Sequence, residues 1–194
     1  MKAKDIIINT LKRAREERGL RISKPKDYLS TGHIKKADHN LIVMTDLSRL
    51  GHEDWVVISA YYAMYQSATA LLAKIGLESK DHATTTAVLE YFFSEKINKE
   101  LISKFNELKE RKDKLEAITI DEKYIEYLWK IKRARETVQY GISINYKETD
   151  VVIRNTREFV SKIKLVINEL DEILIEAIGK EIKELEEETR RQIT

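Results

Sequence analysis

Apolar positions recur at helical spacing along almost the whole chain, and no segment sustains two-residue alternation. The pattern predicts a first short helix over Ala3–Arg18, closed by Gly19. A connector LRISKPKD follows, in which Pro25 disfavours helix at Lys24. A second helix runs from Lys26 or Asp27 to Leu50, with room for a break near Thr31–Gly32, and Gly51 takes the terminal position that glycine favours. The central helix spans Glu53–Ile75 and is closed by Gly76. Ser79 or Asp81 then caps a helix through Tyr91–Phe93. A charged helix over Lys96–Glu116 is expected next, then a break at Ile118–Asp121. A further helix from Glu122 to Tyr140 stops at Gly141, and a long last helix begins at Thr149 or Asp150.

Two stretches depart from ordinary amphipathic helices. Trp55–Ala73 holds no formal charge over 19 residues, in a protein that is 35% charged. It has the length of a membrane span. It also carries three tyrosines with Ser59, Gln66, Ser67 and Thr69, and no second span exists to pack against it, so a core helix and no membrane contact are expected. In the last helix, Val152, Thr156, Phe159, Ile163, Val166, Leu170, Ile173 and Ala177 are spaced 4,3,4,3,4,3,4. Such a stripe packs on a bundle or forms a dimer seam. Past Lys180 the polar load rises, which predicts an exposed or projecting tail.

Composition narrows the classes. One proline and six glycines leave few turns, and the absence of cysteine excludes disulfides and thiolate chemistry. The first eighteen residues offer only a short apolar patch, Ile6–Ile8, before a charged run, which is not a signal peptide, and a cytoplasmic protein is expected. The net charge of +2 conceals an asymmetry. Residues 1–36 carry eleven Lys/Arg against four Asp/Glu, whereas residues 168–194 carry four against nine. The basic end suits either phosphate contact or a solvated helix face. The expected organisation is a basic N-terminal helix or arm over 1–25, a helical bundle over 26–180 and a charged helical tail over 181–194. Richness in Lys, Glu and Ile resembles thermophile composition.

The usual chemical motifs are silent. His33, His39, His52 and His82 share no helix-face pairing and there is no HExxH, so no metal is expected. No GxGxxG, GxxxxGK or nucleophile motif occurs, and no cofactor is expected. The segment YIEYLWKIKRARETVQYG is the exception. Tyr124, Leu128, Ile131, Arg135 and Val138 are spaced 4,3,4,3, which puts Arg135 on the apolar stripe with Gln139 beside it. A desolvated guanidinium needs a carboxylate or an anionic ligand. A buried ion pair, a snorkelling arginine and a phosphate clamp all satisfy that pattern. Tyrosines at helical spacing, as at Tyr61, Tyr62 and Tyr65, are ordinarily core. Adjacent Tyr61 and Tyr62 nevertheless diverge by about 100°, so one can face the core and the other a site or partner. His82 falls where a helix begins, a position that lowers an imidazole pKa and suits capping or ligand contact.

At these residues the chain resembles the HEPN superfamily of nucleotide-binding domains found in higher eukaryotes and prokaryotes. The likeness lies in SAYYAMYQSATALLAKIGLESKDH and RETVQY and covers roughly Lys26 to Lys180. It is greatest to the small bacterial and archaeal HEPN proteins often encoded beside minimal nucleotidyltransferases. The resemblance implies an all-α, up-and-down helical bundle with a long C-terminal helix, forming a homodimer.

In the ribonuclease members of that superfamily an arginine precedes a histidine by four to six residues, and two such motifs meet across the dimer. The arginine steadies phosphate while the histidine assists the 2′-hydroxyl, without metal. Here Arg135 or Arg133 matches the arginine, Tyr140 stands at the histidine position, and no histidine follows His82. A phenol is a poor base near neutrality. The resemblance therefore implies a nucleotide- or RNA-binding component working with a nucleotidyltransferase partner in a toxin–antitoxin or defence setting. Arg135, with Arg133 as the alternative, would hold phosphate. Gln139 and Tyr140 would shape the pocket, and Tyr62 and His82 would line it. Two alternatives stand beside it. One is a metal-independent endoribonuclease using Arg135 with Tyr140 or His82, and the other is a non-catalytic oligomerisation protein. Arg135 tied to a carboxylate of its own core favours the last; an open pocket around it favours the others.

Overall fold

Burying the uncharged stretch dictates the architecture. The computed structural model describes residues 2–13, 19–104, 106–141 and 148–192. Helix α3, Glu53–Lys74, lies at the centre, with Val56, Val57, Ala60, Ala63, Met64, Ala68, Leu71 and Leu72 almost fully enclosed. It is the one helix among the described residues long and apolar enough to cross a membrane, and 72% of that window is buried inside the bundle, as in a core helix.

Helix α2, Asp27–Arg49, folds back along α3 through a turn in which Gly51 adopts φ +74°. Lys74 pairs with Asp27 at 2.8 Å, and the Lys26 amide donates to Ala73 O at 3.0 Å, clasping the far ends together. The break allowed for near Thr31–Gly32 does not occur: α2 is continuous there. Glycine costs a helix about 1 kcal/mol, and packing along α3 offsets it.

Two short strands, β1 (Arg21–Ile22) and β2 (Leu77–Glu78), pair antiparallel beside this hairpin. Two residues are too few to show alternation in sequence. Gly76 turns the chain into β2 at φ +80°, and a Cβ there would lie 2.5 Å from Ser23 O. Helix α4, His82–Phe92, packs on α3 and on α1, Ala3–Leu11. Helix α1 ends sooner than the predicted Arg18; residues 14–18 lie outside the described residues.

The single charged helix predicted over Lys96–Glu116 is instead α5, Glu95–Lys104, a 3₁₀ segment, Asn106–Arg111, and α6, Lys112–Ile118. The reason is a folded-back contact. Asn98 Nδ2 donates to Leu115 O at 2.8 Å and to Thr119 Oγ1 at 2.6 Å. A straight helix would hold residues 98 and 115 about 25 Å apart. Folding back lets Ile97 and Leu101 share one core with Leu115 and Ile118.

Helix α7, Glu122–Tyr140, ends at Gly141 as predicted. The last helix does not run unbroken: α8, Thr149–Glu169, gives way at Leu170 to α9, Glu172–Arg191. Asp171 caps α9 by accepting from the Leu174 amide at 3.1 Å, and it pairs with Arg111 and, at 2.9 Å, with Lys114. The 4,3 stripe is core: Thr156, Phe159, Ile163, Val166, Leu170 and Ala177 are buried within the chain.

The segment past Lys180 does not project either. Glu181, Ile182, Leu185 and Thr189 are buried, and α9 lies against α1, where Lys4 pairs with Glu188 at 2.8 Å. Ile7 and Leu11 of α1 join the same core, so neither end stands off from the bundle. The fold is an all-α bundle with a minor two-stranded ribbon.

Candidate functional site

The apolar stripe of α7, buried at Ile125, Leu128 and Ile131, carries Arg135 inward against α3. There the adjacent tyrosines diverge as their 100° offset requires: Tyr61 is 2% exposed and Tyr62 37%. The Arg135 Cζ lies 5.4 Å from the Tyr61 ring centroid, 5.9 Å from Tyr62 and 5.5 Å from Tyr140. Its Nη2 donates to the Tyr62 hydroxyl at 3.4 Å. Three ring contacts of about 0.5–1 kcal/mol each stabilise the charge.

They do not satisfy its donors. Arg135 Nε is buried without a hydrogen-bond partner. No carboxylate among the described residues lies within 4.0 Å of the guanidinium, and the neighbouring Glu136 is engaged by Lys132 at 3.2 Å. A cation held by ring faces, with an unmet N–H donor, has the chemistry that suits an oxyanion.

His82, the first residue of α4, joins the same cluster from the other side. Asp81 caps that helix, its Oδ2 accepting from the Thr84 amide at 2.8 Å and from Thr84 Oγ1 at 2.7 Å. The Tyr61 hydroxyl is 2.5 Å from His82 Nδ1. Tyr65 stacks on Tyr61 at 6.0 Å and meets the His82 ring edge-on at 4.3 Å. Burial pushes the Tyr61 phenol well above its ordinary range, Tyr65 reinforcing it. Burial also holds His82 below the usual 6.5, with Lys132 and Arg135 acting in the same direction. Both groups are therefore neutral at pH 7. A neutral phenol is a good donor and a weak acceptor, so Tyr61 donates to Nδ1 and the imidazole proton resides on Nε2.

The structure thus brings Arg135, Tyr62, Tyr140 and, through Tyr61, His82 into one cluster. Arg133 lies about 200° around α7 from Arg135 and is exposed; Gln139 is exposed one turn on, and neither joins the ring contacts. Tyr140 is 72% exposed at the lip. The sequence reading named Tyr62, and not Tyr61, as a site residue. The Tyr61 phenol is core, yet it is also the link between guanidinium and imidazole. Its adjacency to Tyr62 was the available signal.

A family model described as the HEPN domain matches residues 31–166. The chain belongs to the HEPN family. No curated protein matches it. The matched span includes α3, α4 and α7, so every residue of the tyrosine cage lies within the HEPN domain, while α1 and α9 flank it.

Proposed function

We propose that this HEPN protein binds a nucleotide or RNA through a phosphate held by Arg135. The observation that carries the reading is the guanidinium itself: ringed by three tyrosines, without a carboxylate partner, and with an orphaned buried Nε. An arginine held in a buried ion pair would have its charge answered by an acid, and none does so among the described residues. Tyr62 and Tyr140, both exposed, frame the guanidinium at the mouth of the site. His82 contributes a neutral Nε2–H as a second donor, and Arg133 and Gln139 form the outer rim.

Binding without cleavage is the reading favoured by the site's proton chemistry. Tyr140 is a phenol, and His82 carries its proton on the nitrogen that a base would need free. The likeness to small HEPN proteins supports the setting: a cytoplasmic homodimer beside a minimal nucleotidyltransferase, in a toxin–antitoxin or defence system. The test is incubation of purified protein with a mixed-sequence RNA in chelator. Wild type, Arg135→Ala and Tyr140→Phe are compared for retention and for cleavage. Retention lost in Arg135→Ala, with no cleavage by any form, is expected. Cleavage by wild type that vanishes in Arg135→Ala would replace the binding module with an endoribonuclease. Retention unchanged in Arg135→Ala would remove Arg135 from the site.

A further inference from the structure

Beside the tyrosine cage runs a groove of about 430 Å³, lined by His33 of α2, by Tyr65, Gln66 and Thr69 of α3, by Leu77 and by His82. We propose that this groove receives the base of the nucleotide whose phosphate sits on Arg135, and that Gln66 and His33 read the base edge. The inference rests on the phosphate reading of Arg135 and adds the part of the ligand that reading leaves unplaced.

Three observations carry it. The first is continuity: Tyr65 and His82 line the groove, and both touch Tyr61, on whose ring Arg135 lies. Gln66 follows Tyr62 by four residues on α3, just over one turn or about 6 Å along the axis. That is the scale of the step from a 5′-phosphate to the base of one nucleotide.

The second is polar convergence. His33 Nδ1 and Gln66 Oε1 are 2.7 Å apart. An amide oxygen only accepts, so Nδ1 carries the proton and donates. As a neutral imidazole the His33 ring would then offer Nε2 as an acceptor, and the Gln66 amide keeps its NH₂ donors. Neither of those nitrogens has a protein partner among the described residues. An acceptor beside a donor matches the paired donor and acceptor on the edge of every nucleobase, and a purely apolar ligand would leave both unmet.

The third is the remaining wall. The Tyr65 ring, the Leu77 side chain and Thr69 supply flat and apolar contact. Thr69 Oγ1 is turned away to Tyr65 O at 2.9 Å. Glu78, Ser79 and Lys80 also line the groove, and Lys26 holds the Glu78 carboxylate. Placed polar groups among flat and apolar walls are the usual make-up of a small-ligand site.

The test titrates the four nucleoside 5′-monophosphates and ribose 5-phosphate into wild type, Gln66→Leu, Gln66→Glu and Arg135→Ala by calorimetry. Thermal melts establish that each variant is folded. Wild type should bind at least one nucleotide tenfold or more tighter than ribose 5-phosphate. Gln66→Leu should reduce that nucleotide to the affinity of ribose 5-phosphate and leave ribose 5-phosphate unchanged. Gln66→Glu keeps the bond to His33 and loses the donor, so it should lose the same preference. Arg135→Ala should lose every ligand. If wild type binds ribose 5-phosphate as tightly as all four nucleotides, or if both Gln66 variants keep the preference, the groove is not the base site while the Arg135 reading stands. If wild type binds none of the five, or if Arg135→Ala binds as wild type does, the phosphate reading fails and the base assignment fails with it.

Discussion

Tyr61 and His82 fix each other's protonation across 2.5 Å. The phenol is buried and held neutral, the imidazole is held neutral beside it, and the shared hydrogen belongs to the better donor. His82 should accordingly show the Nε2–H tautomer in ¹⁵N spectra of the imidazole at pH 7. Tyr61→Phe removes that donor and leaves Nδ1 half-buried and unmet, at a cost of about 1–3 kcal/mol in urea unfolding. A wild-type Nδ1–H tautomer would contradict the assignment and restore His82 as a base.

The same pair gives a pH dependence. In the folded chain His82 titrates below 6.5, because burial and then Lys132 disfavour the imidazolium, with Asp81 opposing. In the unfolded chain it titrates near 6.5. Between the two values the unfolded chain holds a proton that the folded chain lacks. Stability is therefore fully present above about 6.5 and is lost as pH falls towards the folded value. His82→Gln should remove this component. Melting temperatures of the two forms should converge in relative terms as pH is lowered from about 8 to about 5; curves parallel throughout would show that His82 contributes nothing.

Arg135→Ala separates a ligand clamp from a structural cation. With no carboxylate left unpaired, the change removes ring contacts worth about 1.5–3 kcal/mol in sum. A true buried ion pair would cost about 3–5 kcal/mol. Urea unfolding of the variant distinguishes these, and the larger loss would count against an open clamp.

The far end of the bundle makes an independent prediction. Buried Glu181 accepts from the Tyr91 hydroxyl at 2.8 Å and pairs with Lys104 at 2.5 Å. Lys104→Met should destabilise the protein by about 2–3 kcal/mol, discounted because the lysine is partly exposed. Glu181→Gln keeps a partner for Tyr91 and leaves Lys104 with Glu184, and should cost less. Removing residues 181–194 would bare Ile7 and Leu11 of α1 and should abolish cooperative unfolding. A truncated protein as stable as the full chain would mean that α9 contributes little to the core.

Helix boundaries at Gly51, Gly76 and Gly141 were legible because glycine ends helices for a local reason. The breaks at Asn106–Arg111 and at Leu170–Asp171 were not. They are set by Asn98 reaching Leu115, and by Asp171 meeting Arg111 and Lys114, contacts between residues far apart in the chain. The polar run after Lys180 read as solvated because its spacing hid Ile182, Leu185 and Thr189 on one face. In the site, the inward register of Arg135 was visible from periodicity. Two of the three tyrosines that answer it come from α3, 73 residues away at Tyr62, and only the fold places them there.

The central claim is that Arg135 keeps donors free for a phosphate, and its Nε–H can be watched directly. Titration of ¹⁵N-labelled protein with adenosine 5′-monophosphate, at pH 7 and without metal, should produce a saturable shift of the Arg135 Nε–H resonance. That resonance would be assigned by its absence from Arg135→Lys. A resonance that stays unmoved while the nucleotide binds elsewhere would contradict the account.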